Sequence, residues 1–534
     1  MPSRRMRSRV GRPVIAAGLL ALAALFVSAS LAVPRGSAAT KDTLTVLGGS
    51  ASSVDPAVQS DAGSAQVVAQ LFETLTAVDS KQHVQPALAA SWQTSSDGKE
   101  IVFKLRSGLK FSDGSALVAA DVAKSWLRVL NPAHPSQLAS LMDGVAGAKA
   151  YRQGKGAASA VGISATSDGE VKVVLNAAAS DFPAVVSSPT FAVVPSTIDT
   201  KPQVLRPGTF VGSGAYVLSA LSTTETTMQA NPNYWAGQPP IKTIHILSEL
   251  PSGTTTLEAF TAGTVDYTPL SAADATKVIY DQKLGPQLRI QPSPSTEYFG
   301  FNTTLAPFDN VHVRRAFAHG INWARIVALF ENPLVVPATG MVPAGVPGHS
   351  TTTFAPKFDL TLAKSELAAA GYPNGTGFPE VTLSTPGTSF DADIVAQLRA
   401  NLGITIRYVP LDGDTYNQVL LLNPPQMWWM DWVADYPGAD DFLGILLGDG
   451  QVNNFARWTN PDFETALATA LAATDAPSTQ AAWDKAESII ADQAPVIPVD
   501  YGAGYALAAN GLLGALPNSQ GLTRYAGMSW ATGS

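Results

Sequence analysis

The sequence predicts a mixed α/β protein of two or three domains that leaves the cytoplasm. Helical and strand signals alternate along the chain with no internal repeat. Its 534 residues exceed what a single core serves. Its first 39 residues have the form of a targeting segment.

In that segment Arg4, Arg5, Arg7, Arg9 and Arg12 give a basic start, followed by an uncharged apolar run from Val14 to Val33. Ser37-Ala38-Ala39 then offers the small residues that suit a signal peptidase. Cleavage after Ala39 leaves 495 residues. The 20-residue run is long for a signal peptide, and retention as one membrane anchor is the alternative. No later run approaches a bilayer-spanning length, so the remainder is expected to be exported and soluble. Removing the six arginines of residues 1–39 leaves 28 basic against 42 acidic residues, a net charge of −14. That balance argues against a nucleic-acid partner. The chain has no cysteine, so burial alone must stabilise it. A lipid-modified N-terminal cysteine, thiolate metal ligands and a thiol nucleophile are excluded with it.

The elements follow in order. Asp97-Gly98 turns the chain into Ile101–Arg106, where Ile101, Phe103 and Leu105 alternate with charged residues, as in the second arm of a hairpin. After a turn at Asp113-Gly114, Ala119 to Leu130 reads as a helix with Val122, Trp126 and Val129 on one face. Gly208 to Tyr216 is a glycine-containing loop that leads into a strand at Tyr216. The polar stretch Asn302 to Asn310 precedes a single helix from about Val313 to Leu329. Leu360 to Ala370 is helical and stops at Gly371, with Pro373 behind it. Asn460-Pro461 is an N-cap and first-turn pair for the helix carrying Phe463, Leu467 and Leu471. Trp483, Ile489 and Ile490 mark another helix.

The run Met427 to Pro437 is the most informative stretch. Trp428, Trp429 and Trp432 make an aromatic, strand-favouring segment sheltered from water. It ends at Tyr436-Pro437-Gly438, a turn signal. Asp435 lies where strand gives way to loop. An aspartate capping its own backbone would account for an isolated Asp-Tyr-Pro. Beside this much apolar surface a carboxylate needs a cation or hydrogen-bond donors, and a pocket wall with one anionic handle for a ligand ammonium is the sharper reading.

Several short motifs stand in a definite order: Val54-Asp55-Pro56, Gln85 to Trp92, Phe103 to Gly114, Val211-Gly-Ser-Gly-Ala-Tyr216, Asn231 to Trp235, Gly263 to Asp266, Phe301-Asn302, Val313 to Ala316, Ala369 to Tyr372 and Trp432 to Pro437. In this order they resemble the extracytoplasmic solute-binding proteins of peptide-type ABC transporters, the family of dipeptide-, oligopeptide- and nickel-binding proteins. The resemblance runs from about Leu44 to Pro498. It implies a two-lobed periplasmic-binding-protein fold of the large peptide-binding type. Residues 40–66, 194–297 and 499–534 would form lobe one, 67–193 a subdomain of lobe one, and 298–498 lobe two. The implied function is capture of short peptides between the lobes by a monomeric receptor, and delivery to a membrane permease driven by a cytoplasmic ATPase. The implied location is periplasmic or cell-surface.

The resemblance also implies a site. An extended peptide would pair with the backbone of Trp432, Val433, Ala434 and Asp435, and with Ser53 and Val54 opposite, like an added strand. Asp435 matches the acidic anchor for a peptide ammonium, and Trp432 would line a side-chain pocket. Gly438-Ala439-Asp440 departs from the family's acidic-proline continuation. No residue is identified for the ligand carboxylate; Arg399, Arg407 and Arg457 are candidates.

A nickel chelate, haem or an oligosaccharide is the alternative cargo for the same receptor role. The six histidines are scattered, and His312 and His319, seven apart, form no ligand signature; no metal or cofactor is expected. A secreted hydrolase is the remote alternative. Neither Gly-x-Ser-x-Gly, His-Glu-x-x-His nor a phosphate loop occurs. Asp431 and Asp435 in a strand would stand about 13 Å apart, beyond the ~5–9.5 Å of a glycosidase pair. The chain is therefore expected not to be an enzyme.

Overall fold

The computed structural model describes residues 41–532 apart from 50, 60, 199–206, 209, 331–334 and 517–521. The targeting segment and its cleavage site lie outside the described residues. Among these residues no helix is long and apolar enough to cross a membrane.

Two long strands, Leu288–Phe301 and Val496–Ala508, run antiparallel through the middle of an eleven-stranded sheet. On one side the sheet continues through Met427–Val433, Val381–Thr385 and Ile406–Pro410. On the other it continues through Tyr267–Leu270, Thr43–Leu47, Thr243–Leu247, Glu225–Ala230 and Tyr216–Leu221. Val336–Pro337 pairs with Val496–Ala508 off this path. The register of the two long strands shifts between Pro292 and Thr296. Before the shift Leu288–Phe301 has one strand neighbour; from Ser295 onward it has two. Each half of the sheet buries its own apolar clusters. Leu44, Met228, Ile244 and Tyr267 serve one half, and Phe299, Phe301, Phe317, Trp428 and Phe442 the other.

A separate four-stranded antiparallel sheet is ordered Ala89–Thr94, Glu100–Leu105, Glu170–Val174, Ile163–Ser167. The helix Ala119–Val129 covers it, with Trp126 edge-on to Phe103 and Phe182. Asp97-Gly98 forms the expected hairpin turn between the first two strands, with Gly98 at φ 70°.

The other predicted elements appear as Leu360–Ala369, Pro461–Ala472 and Ala476–Gln493, with Asn460 accepting from the N–H groups of Asp462 and Phe463. One expectation is corrected. The single helix expected over 313–329 is two, Val311–Gly320 and Trp323–Phe330. Ile321 leaves helical geometry at φ −109°, ψ 132°, and Asn322 starts the second helix by accepting the Arg325 N–H at 3.0 Å. A cap of this kind competes with continuation of the helix.

The Val211–Tyr216 loop is structural. A Cβ at Gly212 would stand 2.2 Å from the Leu71 carbonyl oxygen, and one at Gly214 2.4 Å from that of Gln70. The loop therefore packs on the end of the helix Ala62–Leu71 only as glycine. Gly300 is equally constrained, since a Cβ there would meet the Trp428 ring at 2.1 Å. Gly300→Ala should lower stability by about 1–3 kcal/mol through overpacking, read as a fall in the urea midpoint at unchanged slope.

Candidate ligand-binding site

Met427–Val433 pairs with Leu288–Phe301 along its whole length, from Phe301↔Met427 to Ser295↔Val433. Its other edge is paired only at the start, where Leu383 and Ser384 meet Met427 and Trp428. The next backbone groups are taken by a side chain: the Tyr416 hydroxyl accepts the Trp429 N–H at 2.8 Å and donates to the Trp429 carbonyl at 2.5 Å. Past Trp429 no strand among the described residues adjoins this edge, and Asp431 and Val433 are exposed. Trp428 is buried edge-on against Tyr298 and Phe455. Trp429 donates its indole N–H to Glu297. The strand is thereby fixed on its core side and ends as an open edge.

Beyond Val433 the chain turns. The Ala434 N–H donates to the Pro294 carbonyl at 2.9 Å, tying the turn to the register shift of the long strands. Asp435 follows, half-buried, and burial pushes its carboxyl up to about 6. Asp441, 0% exposed, stands behind it. Its Oδ2 accepts from the Trp432 indole N–H at 2.8 Å and from the backbone N–H of Asp435 at 3.2 Å. Its Oδ1 is buried without a hydrogen-bond partner among the described residues. Burial first, and then the charge of Asp435, hold Asp441 well above the carboxylate range. Trp432 is half-buried against the core and so serves as the donor that orients Asp441.

Tyr436 crosses to the four-stranded sheet and is buried in the core cluster there with Phe103, Trp126 and Phe182. Its hydroxyl donates to Asp440 Oδ2 at 3.2 Å and also meets the Asp181 carboxyl, at the start of the short helix Phe182–Val185. Burial raises Asp181 to about 6; burial and the charge of Asp181 raise Asp440 to about 7. A backbone hydrogen bond from Ser180 to the Leu471 carbonyl at 3.1 Å closes the same seam.

Ser53 and Val54 lie in the loop after Thr43–Leu47. The Ser53 N–H donates to Ser64 Oγ at 3.1 Å, and Ser53 Oγ accepts the Asp55 N–H at 3.2 Å. Val54 is buried with Leu44 and Val46. Asp55 forms a bidentate ion pair with Arg128 on the Ala119–Val129 helix, both nearly fully buried. Ala57, just past this loop, and Tyr436, next to Asp435, belong to one apolar cluster. The residues that follow these two segments, Ala57 and Tyr436, thus meet in one core.

Two of the three arginine candidates are engaged elsewhere, and the third lies at the surface. Arg407 reaches Thr382 and Glu380, Arg457 the Leu421 carbonyl, and Arg399 is exposed in the last turn of its helix. Sequence reasoning missed Asp181, Asp440, Asp441 and the Asp55–Arg128 pair. The Asp440-Asp441 doublet, close behind Asp435, was the available signal for two of them. Nothing local marks Asp181, which lies about 250 residues away.

Comparison with known proteins matches the chain to one family. The model described as "Bacterial extracellular solute-binding proteins, family 5 Middle" covers residues 83–454. The chain is 30% identical to the probable deoxycholate-binding periplasmic protein YgiS of Escherichia coli over 84% of its length and 85% of the relative's. It is 27% identical to the periplasmic oligopeptide-binding protein OppA of Escherichia coli, covering 92% and 93%. In fold it superposes on the unliganded open form of the periplasmic murein tripeptide-binding protein MppA with a TM-score of 0.80, at 24% identity, over 92% and 97% of the two chains. This is the two-lobed α/β fold expected from the sequence. The chain belongs to the family 5 bacterial extracellular solute-binding proteins.

Proposed function

We propose that this protein captures short peptides between two lobes and hands them to a membrane ABC permease. The observation that carries the reading is the open edge after Trp429 that ends at a half-buried carboxylate, Asp435. An extended peptide can add to such an edge through its main chain, which gives affinity without reading side chains. Asp435 then supports the ammonium end. Trp432, Val433 and Ala434 contribute from one lobe, and the backbone of Ser53 and Val54 from the other. Lobe one comprises residues 40–66, 194–297 and 499–534 with the 67–193 subdomain; residues 298–498 form lobe two. The register shift at Pro292–Thr296 is where the paired strands bend between them. The protein acts as a monomer outside the cytoplasmic membrane, without catalysis of its own.

A second cargo class is favoured by the names of relatives, one described as probably deoxycholate-binding and one as heme-binding. The carboxylates around Asp435 weigh against it here. Bile acids and haem are themselves carboxylates, and like charges in a sheltered cleft cost free energy.

Closure supplies the test. A ligand that touches both lobes selects the closed form. Mass spectrometry of the acid-denatured protein should release peptides, and readdition of one of them to stripped protein should reduce the radius of gyration in small-angle scattering. A bile acid or porphyrin in the extract, or an unchanged radius at saturation, would count against the reading.

A further inference from the structure

We propose that the hairpin tip Asp79–His83 is a latch: the Gln82 side chain, seated against Gly345, fastens the 67–193 subdomain to lobe two and must come out before the lobes can separate. This rests on the two-lobe reading above and adds to it the point at which opening is gated.

The burial of Gln82 has no source within its own hairpin. Thr76–Val78 and Val84–Pro86 pair as two short strands. The Asp79 carboxylate knits the tip between them, accepting from the N–H groups of Lys81 and His83 and from Gln85 Nε2. Ser80, Lys81 and His83 are exposed there, yet Gln82 is only 3% exposed. What covers it lies more than 250 residues on: a Cβ at Gly345 would stand 3.1 Å from Gln82 Nε2. Gly345 has φ 90°, a conformation that favours glycine. Gln82 is itself held at φ 67°, which is costly for a residue with a side chain. Its Oε1 is buried with no hydrogen-bond partner among the described residues, a second cost. Two unfavourable terms thus oppose the seated state. The contact can therefore be released cheaply, as a latch requires.

The receiving loop is tied to the middle of the large sheet. Thr296, at the register shift, donates its hydroxyl to the Met341 carbonyl at 2.8 Å. Glu487 accepts the N–H groups of Met341 and Val342, both at 3.0 Å. Three residues past Gly345, a Cβ at Gly348 would stand 2.5 Å from the Ala439 Cβ, so the loop also packs on the turn that follows Tyr436. Gln82 and Tyr436 therefore cross one seam in opposite directions, each buried on the far side. Through Thr296 and Met341 a change of angle at the register shift pulls on the seat of Gln82.

Spin labels can read this, because the chain has no cysteine of its own. One nitroxide pair goes on Lys81→Cys and Ala344→Cys, exposed neighbours of the latch residues. A second pair, in separate molecules, goes on Ser252→Cys and Asp414→Cys, exposed and one in each lobe. Pulsed electron resonance on the mature chain should give a short distance for the latch pair. Gln82→Gly relaxes the backbone and empties the seat, so both pairs should shift to longer, broader distributions while the urea midpoint stays close to that of the parent. Gly345→Ala, which crowds the seat from the other side, should shift both pairs in the same direction. A tip that detaches in Gln82→Gly while the lobe pair keeps its distances overturns the latch. So does a variant in which neither pair moves, which marks Gln82 as ordinary packing. Trialanine that shortens the lobe distance equally in parent and Gln82→Gly, with no effect of the substitution itself, leaves the peptide receptor standing without a latch. Lobe distances that follow Gln82→Gly but ignore trialanine keep the latch and count against the peptide reading. A lobe pair that is rigid in both proteins, with and without trialanine, removes the two-lobe reading as well.

Discussion

Asp435→Asn should weaken peptide binding by about 30- to 1,000-fold at pH 8, equivalent to about 2–4 kcal/mol. The substitution preserves shape and removes charge. The ligand ammonium then gives up water for a neutral amide. Charge-assisted hydrogen bonds are about twice as strong as neutral ones, and in a closed cleft the uncompensated cation is the dominant loss. Calorimetry with free and N-acetylated forms of one peptide provides the check. Acetylation should cost the wild type about as much as the substitution does, and the variant should hardly distinguish the two forms. Trp432→Ala is expected to cost less and to depend on ligand sequence, since a side-chain pocket is read only by what fills it. Equal affinity of the wild type for free and acetylated peptide would remove the ammonium from the site.

Arg128→Ala should destabilise the whole protein by about 3–5 kcal/mol, the range found when one partner of a buried ion pair is removed. Arg128 and Asp55 are 7% and 3% exposed in their side chains. The pair fastens the Ser52–Asp55 loop to the Ala119–Val129 helix. Its loss leaves a carboxylate buried at the end of that loop. Urea denaturation should show the loss in full, and Asp55→Asn combined with Arg128→Leu should recover part of it, because no charge is then stranded. A single-variant loss below about 1 kcal/mol would place the pair among the weakly contributing surface bridges.

Much of the fold was legible because the deciding signals were local. Asn460-Pro461, Asp97-Gly98 and the stop at Gly371 each act within one turn of chain, and each formed as read. The split at Ile321-Asn322 was local too, but apolar residues of helical spacing on both sides masked the cap. Strand order in the large sheet could not be read, because Val496–Ala508 finds its partners some 200 residues back along the chain. The site divides the same way. The aromatic strand and its terminal carboxylate stood out within eleven residues, Met427 to Pro437. The environment of that carboxylate did not, since Asp181 is brought to it by tertiary packing through Tyr436, and Asp441 reveals its role only once the turn folds it behind Asp435.

The position of Val496–Ala508 in the sheet bears on biogenesis. It is the last long strand to be synthesised, yet it lies between Leu288–Phe301 and Tyr267–Leu270. Until it arrives, both neighbours present bare backbone edges, the surface that invites pairing with other chains. Contacts of such long sequence separation also form slowly, because the loop they close is long. A nascent chain therefore cannot complete its central sheet before nearly all of it has emerged. That delay suits a chain that must be threaded across a membrane before folding, and makes a truncation ahead of Val496 an aggregation hazard rather than a smaller working receptor.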